Sequence, residues 1–237
     1  MKKHGKKYFT AQKKLGETRK KPVVPLLEGL SLVKQLASAG FDETITANVN
    51  LGIDPQKGEQ VVRGSVILPH GTGKKVRVLV FAKGEYADQA VKAGADFVGV
   101  EDLIEKIESG WLEFDYAVAT PDLMGTVGKL AKILGPRGLL PNKKSGTVAF
   151  EIFSVVQDLK RGRLFFKNDK SGIVHFSFGK VSFAAEQLYE NLKVFLSTLA
   201  ATRPSSAKGI FIKKITISST MGVGVQVNLE EKALAGA

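Results

Sequence analysis

Between residues 76 and 134 the sequence alternates short apolar runs with amphipathic ones, and this rhythm constrains the fold more than any other feature. "KKVRVLVFA" reads as a strand, "EYADQAVKAG" as a helix closing on Gly94, and "ADFVGV" as a second strand. "EDLIEKIESG" is a helix with acids in its first turn and Gly110 at its end, followed by the strand "FDYAVAT" and the helix "LMGTVGKLAKIL". Short, almost continuously apolar strands separated by helices build a parallel sheet covered on both faces. The expectation is an α/β unit at residues 68–159.

The flanks have another rhythm. Before the α/β unit come a helix, "SLVKQLASAG", and the strand-like runs "TITANVNL" and "VVRGSVIL". After it come "GRLFFKN" and "GIVHFSFG" around the turn "DKSG", a helix from Ala184 to about Ala201, and a last strand, "IFIKKITIS". The helix sets Leu188, Leu192, Phe195, Leu196 and Leu199 on one face, which reads as core. Neither flank alone supplies a sheet and its covering helices. The expectation is therefore a discontinuous α+β domain from residues 1–67 and 160–237, with the α/β unit inserted into it.

That arrangement matters for the charge. The formal net charge of +12 divides into +8 over residues 1–21, −2 over 22–67, −1 over 68–159 and +7 over 160–237. The excess sits at the two ends, and a domain built from both ends concentrates it into the local field that a polyanion partner requires. With 43% apolar residues the chain can bury cores, and no stretch approaches the roughly 20 apolar residues of a membrane span. The N-terminus lacks the apolar segment of a secretory signal, and the absence of cysteine excludes disulfides and thiolate chemistry. A soluble cytoplasmic protein is expected.

Enzymatic motifs fit poorly. "GTVGKL" from Gly125 approximates a phosphate-binding loop, but its glycines are too close together and Leu130 stands where a magnesium-binding hydroxyl is needed; "HGTGKK" from His70 fails on the same spacing. A nucleotide-using enzyme built on the α/β unit remains the rival reading. No dinucleotide fingerprint follows a strand, and no G-x-S-x-G elbow occurs. His4, His70 and His175 show no ligand spacing, and carboxylate pairs such as Asp42 with Glu43 read as surface or helix-end charges. "GPRG" at residues 135–138 matches the G-x-x-G of a KH clamp, yet that clamp needs a helix on each side and Pro141 interrupts the second one. No catalytic residue, cofactor, metal or small-molecule substrate is expected. "SSTMGVGV" from Ser218 raises a different possibility. Met221 sits where the strand pattern breaks, either as a buried gap-filler or as an exposed docking point for a flat, rigid partner.

The stretch "TPDLMGTVGKLAKILGPRGLLPNKKSGTV", from Thr120, resembles the signature of the L-one family of bacterial large-subunit ribosomal proteins. Other pieces agree in order: "KHGKKY", "FDETI" from Phe41, "LGIDP", "RGSVILPHGTGK" from Arg63, "KGEYADQAVKAGADFVG", "GKVSF" and "SSTMG". The resemblance covers essentially the whole chain. It implies an RNA-binding α+β domain from both chain ends carrying a Rossmann-like insert, and no enzymatic activity. It also implies binding to a junction of 23S ribosomal RNA, as a monomer in the mobile stalk of the large subunit that assists release of deacylated tRNA from the exit site. Repression of its own operon messenger RNA through a mimic of that junction is implied too; a free-standing repressor that does not reside on ribosomes is a second rival.

Carried over by position, the resemblance gives Phe41, Thr44, Ser219, Thr220, Met221 and Gly222 as the principal RNA contacts, with Lys170, His175, Lys180 and Arg63 as further ones. Glycine would allow close backbone approach, threonine would bond a 2′-hydroxyl or phosphate, and methionine would supply an adaptable apolar surface. Two positions depart from the pattern. Gly40 stands where many relatives have a basic residue, removing a phosphate contact, and Val223 stands where proline is frequent, which suggests a looser turn.

Overall fold

The structure, a computed structural model, describes residues 5–18 and 23–228; His4 and part of the lysine-rich start lie outside the described residues. In chain order the elements are α1 (Lys6–Thr18), β1 (Val24–Pro25), α2 (Leu26–Leu36), β2 (Thr44–Leu51), β3 (Arg63–Ile67), β4 (Val78–Phe81), α3 (Glu85–Lys92), β5 (Phe97–Gly99) and α4 (Glu101–Glu108). There follow β6 (Tyr116–Ala119), α5 (Met124–Val127), α6 (Ala131–Leu134), α7 (Ile152–Lys160), β7 (Arg163–Lys167), β8 (Ile173–Lys180), α8 (Ala185–Ala201), β9 (Ile212–Ser219) and β10 (Val225–Asn228). The chain divides into two compact units, Met1–Gly73 with Phe165–Ala237, and Lys74–Leu164.

The first unit holds a five-stranded sheet in the order β1-β10-β9-β2-β8. Its interior strand β2 comes from the N-terminal flank, and both neighbours, β8 and β9, come from the C-terminal flank and run antiparallel to it. Alternation along "TITANVNL" buries Ile45, Ala47, Val49 and Leu51 and leaves Thr44, Thr46, Asn48 and Asn50 on the other, half-exposed face. α2 and α8 cover the apolar face. The α8 residues expected as core are all buried, and the Phe195 ring stacks on Phe176 with centroids 3.8 Å apart. The Gln187 side chain accepts the Ala184 N–H and so closes the start of α8.

Helix α1 lies in the lysine-rich start, to which the pattern reading assigned no element. Among the described residues only Ala11 and Leu15 of it are buried, too small an apolar signal to stand out among its lysines. β1 and β10 also escaped the pattern reading, because two and four residues are too few to display a period. α2 begins at Leu26, ahead of the run "SLVKQLASAG", and ends at Leu36.

In the second unit three parallel strands lie in the order β5-β4-β6, with all four residues of β4 buried. Leu79 and Phe81 of β4 pack with Ile104 and Ile107 of α4 and with Val127, Leu130 and Leu134. The chain therefore combines a mixed α/β content with a parallel sheet. The continuous helix expected at residues 123–134 is instead α5, a 3-10 turn at Gly128–Leu130, and α6. The Ala131 N–H bonds the Gly128 carbonyl three residues back, and Gly125 and Gly128 remove the side-chain packing that favours longer α turns. α7, "IFSVVQDLK", was not anticipated. The crossings between units fall later than the breaks expected after residues 67 and 159. Asn191 explains the first: buried in α8, it donates to the Phe178 and Gly71 carbonyls at 2.8 and 3.0 Å and accepts the His70 N–H at 3.1 Å, tying the "HGTG" loop to the first unit. Phe166 of β7 makes an edge contact with Phe195 and so holds that strand in the same unit.

Candidate nucleic-acid interface

The two flanks of the chain meet where β2 begins and β9 ends, with Ile45 paired to Ser219. Beyond Ser219 the chain makes a tight turn in which the Gly222 N–H bonds the Ser219 carbonyl at 3.1 Å. Met221, at the tip, is 61% exposed, and Phe41, in the segment between α2 and β2, is 57% exposed. Two large apolar side chains thus stand in solvent at one end of the sheet.

Glu43 holds both. Its carboxylate is almost wholly buried; Oε1 accepts the Ser38 and Ala39 N–H groups at 3.0 and 2.8 Å, and Oε2 accepts the Met221 N–H at 2.9 Å. Burial pushes the carboxyl upward, but the amides of Met221 and Ala39, then the adjacent Ser219 hydroxyl and the Ser38 amide, outweigh it and hold the group below its ordinary value. The carboxylate is therefore ionised at neutral pH, and its charge strengthens each amide bond.

Around it the surface is pinned by further hydrogen bonds. Thr220 Oγ1 accepts the Thr44 N–H at 3.0 Å and donates to the Thr44 carbonyl at 3.3 Å. Lys180 donates to Thr44 Oγ1 at 2.9 Å, and Asp42 accepts the Ser182 N–H and hydroxyl at 3.1 and 2.8 Å. The Thr220 hydroxyl is thus engaged with the Thr44 backbone and clamps the turn to the start of β2. Ser219 faces inward and is buried; its hydroxyl adjoins Glu43 without full hydrogen-bond geometry to any described partner. A Cβ on Gly222 would lie 2.3 Å from Ser219 Oγ, so glycine is required there by packing inside the turn. Val223 is buried beneath the turn, and its side chain anchors the segment where a looser turn was expected.

The open face of the sheet continues this surface. Cross-strand partners share a face, and β2 aligns Thr46 with Ser177 and Ser218, and Asn48 with His175 and Thr216. Thr46 Oγ1 lies 3.3 Å from both the carbonyl and the hydroxyl of Ser218, and His175 Nδ1 lies 2.7 Å from Asn48 Oδ1. This is a hydroxyl- and amide-rich plane, half-exposed on β2.

The expected site residues therefore divide. Phe41, Thr44, Thr220, Met221, Gly222 and Lys180 gather at one end of the sheet, with Ser219 beneath them. His175 sits midway along the open face. Lys170 occupies the exposed turn before β8, whose length of about 23 Å separates it from Lys180. Arg63 is exposed on β3, in the two-stranded sheet with β7. Sequence reasoning missed Glu43, read only as a surface charge, and the row Thr46, Asn48, Ser177 and Ser218. The period-2 pattern of "TITANVNL" contained that row, once the question of which face stays uncovered is asked.

Among the described residues no group of three or more His, Asp or Glu could hold a metal ion, and no helix is long and apolar enough to cross a membrane. Residues 33–223 match the family described as "Ribosomal protein L1p/L10e family". The chain is also 50% identical over 228 residues, covering 96% of each chain, to the "Large ribosomal subunit protein uL1" of Desulfosudis oleivorans.

Proposed function

This chain belongs to the ribosomal protein L1p/L10e family, and from that premise we propose that it is a structural constituent of the large ribosomal subunit. It grips a helical junction of 23S ribosomal RNA with the sheet end that carries Phe41 and Met221. The observation that carries this reading is the pair of exposed apolar side chains, on two segments tied together by one buried carboxylate, in a strongly basic chain. Phe41 offers a face on which an unstacked base can lie, and Met221 adapts to an irregular apolar surface. The open row of hydroxyls and amides offers partners for 2′-hydroxyls and phosphates, and Lys180, with the lysines of both chain ends, adds a salt-dependent term.

On this reading the first unit is the RNA-binding domain and the second a Rossmann-like insert, together forming the mobile arm that assists release of deacylated tRNA from the exit site. The protein works in the cytoplasm as a monomer within the subunit, by binding and motion, without catalysis. The same surface represses its own messenger RNA by accepting a mimic of the junction.

The test is the affinity of the purified chain for a stalk-junction fragment of 23S RNA against an equal length of unrelated duplex, across a salt series. A specificity ratio that persists at high salt supports the reading. Equal affinities that fall together with salt overturn it. Calorimetry with ATP, GTP and NAD disposes of the enzymatic rival if no heat of binding is seen.

A further inference from the structure

The segment that closes the second unit has no role in the interface described above. Between residues 123 and 150 it carries Lys129, Lys132, Arg137, Lys143 and Lys144 and not one Asp or Glu. The remainder of that unit, residues 74–122 and 151–164, has nine Lys/Arg against twelve Asp/Glu. Charge is therefore segregated within the unit.

The structure sharpens the contrast. Outside the segment five of the nine cations are met by carboxylates: Lys74 and Arg77 by Asp115, Lys83 by Glu101, Lys160 by Asp96 at 2.6 Å, and Arg163 by Asp158. Among the described residues, Lys129, Lys132, Arg137 and Lys143 are all exposed, and none has a carboxylate within 4 Å. Lys129 and Lys132 are three residues apart on consecutive helical turns, so their side chains are neighbours. Arg137 lies in the turn at residues 135–138, after α6, where Gly138 takes a φ of 71°. The segment leaves the end of β6 at Thr120 and returns beside it, with Val148 bridged to Ala119 and the Thr147 carbonyl accepting the Ala119 N–H. Its anchors are firm. Val127, Leu130 and Leu134 are fully buried in the unit's core, so the cations stand on a fixed base.

We propose that this segment is a second RNA-docking surface, which takes the phosphate backbone of a structured RNA helix and does so independently of the Phe41 and Met221 interface. Unpaired, exposed cations on a rigid support are what a phosphate track requires. An unneutralised patch beside an otherwise acid-balanced surface repels itself unless it is matched by a partner's negative charge. The surface presents cations and apolar turn residues with few groups suited to reading base edges, so it contacts backbone and tolerates sequence.

The test uses the full chain and a 16-base-pair RNA duplex of arbitrary sequence. Lysine acetylation read by mass spectrometry should show Lys129, Lys132 and Lys143 protected several-fold by saturating duplex, while Lys92 and Lys106, on the acidic helices of the same unit, stay reactive. The triple variant K129E/K132E/R137E should bind the duplex about tenfold more weakly near 0.1 M salt, with a salt slope smaller by roughly 2. Its affinity for the 23S junction fragment should stay unchanged, which separates failure of this inference from failure of the first interface. Unaltered reactivity, an unaltered salt slope, or equal protection by poly-glutamate would each overturn the assignment to RNA.

Discussion

The Met221 amide donates to Glu43 Oε2 at 2.9 Å across 178 residues of sequence. One buried carboxylate thereby fixes two exposed segments, one from each end of the chain. Glu43→Gln keeps the shape but loses the charge, and should cost about 1 to 3 kcal/mol of stability. Urea unfolding of both proteins at pH 7 checks this; equal midpoints would contradict it.

The same group sets a pH dependence. Its carboxyl lies below the ordinary 4.5 when folded, so its contribution is complete above about pH 4.5 and is lost as pH falls through the lower, folded value. Stability measured from pH 6 to pH 3 should fall more steeply in the wild type than in Glu43→Gln, the two curves converging in acid.

Thr220 and Met221 should separate by readout. Met221→Ala should leave stability unchanged, because the side chain stands in solvent, and weaken RNA binding. Thr220→Ala removes the clamp on Thr44 and should lower both. The double change should lose about 2 to 4 kcal/mol of binding to the stalk-junction RNA. A double variant that binds like wild type in a filter assay would remove this turn from the interface.

Gly222→Ala should destabilise by about 1 to 3 kcal/mol, since the new Cβ meets Ser219 Oγ. Ser219→Ala in the same chain removes that oxygen and leaves the nearest side-chain atom, Ser219 Cβ, at 3.5 Å. The double variant should recover most of the loss, and a thermal-melt cycle showing simple additivity would refute the packing explanation.

Gly40 is exposed, and a Cβ built on it meets nothing within 4 Å. Gly40→Lys should therefore fold normally and bind the junction RNA a few-fold more tightly at low salt, with a salt slope steeper by about 0.9. An unchanged slope would mean that no phosphate passes near this position.

The α/β rhythm of the second unit was legible at β4, α3, β5, α4 and β6, where short apolar runs alternate with amphipathic ones, and α8 declared its core face through five apolar residues at helical spacing. The short β1 and β10 carry no period of their own; β10 is a strand because β9 offers it an edge, and β1 because β10 does. Glu43 was illegible for another reason. An acid followed by an apolar run looks like any surface charge until folding brings the Met221 amide to it. Thr220 shows the same limit, since its hydroxyl chemistry was foreseeable and its partner, the Thr44 backbone, was not.

The place of β9 in the sheet has a consequence for synthesis. A chain emerging from a ribosome possesses all of its second unit once residue 164 is out, and that unit can form while the first still waits. β2 obtains its second neighbour, and Glu43 its bond to Met221, only after residue 221 appears. An incomplete nascent chain therefore has no assembled Phe41 and Met221 surface, and only the finished molecule can compete for that surface's targets.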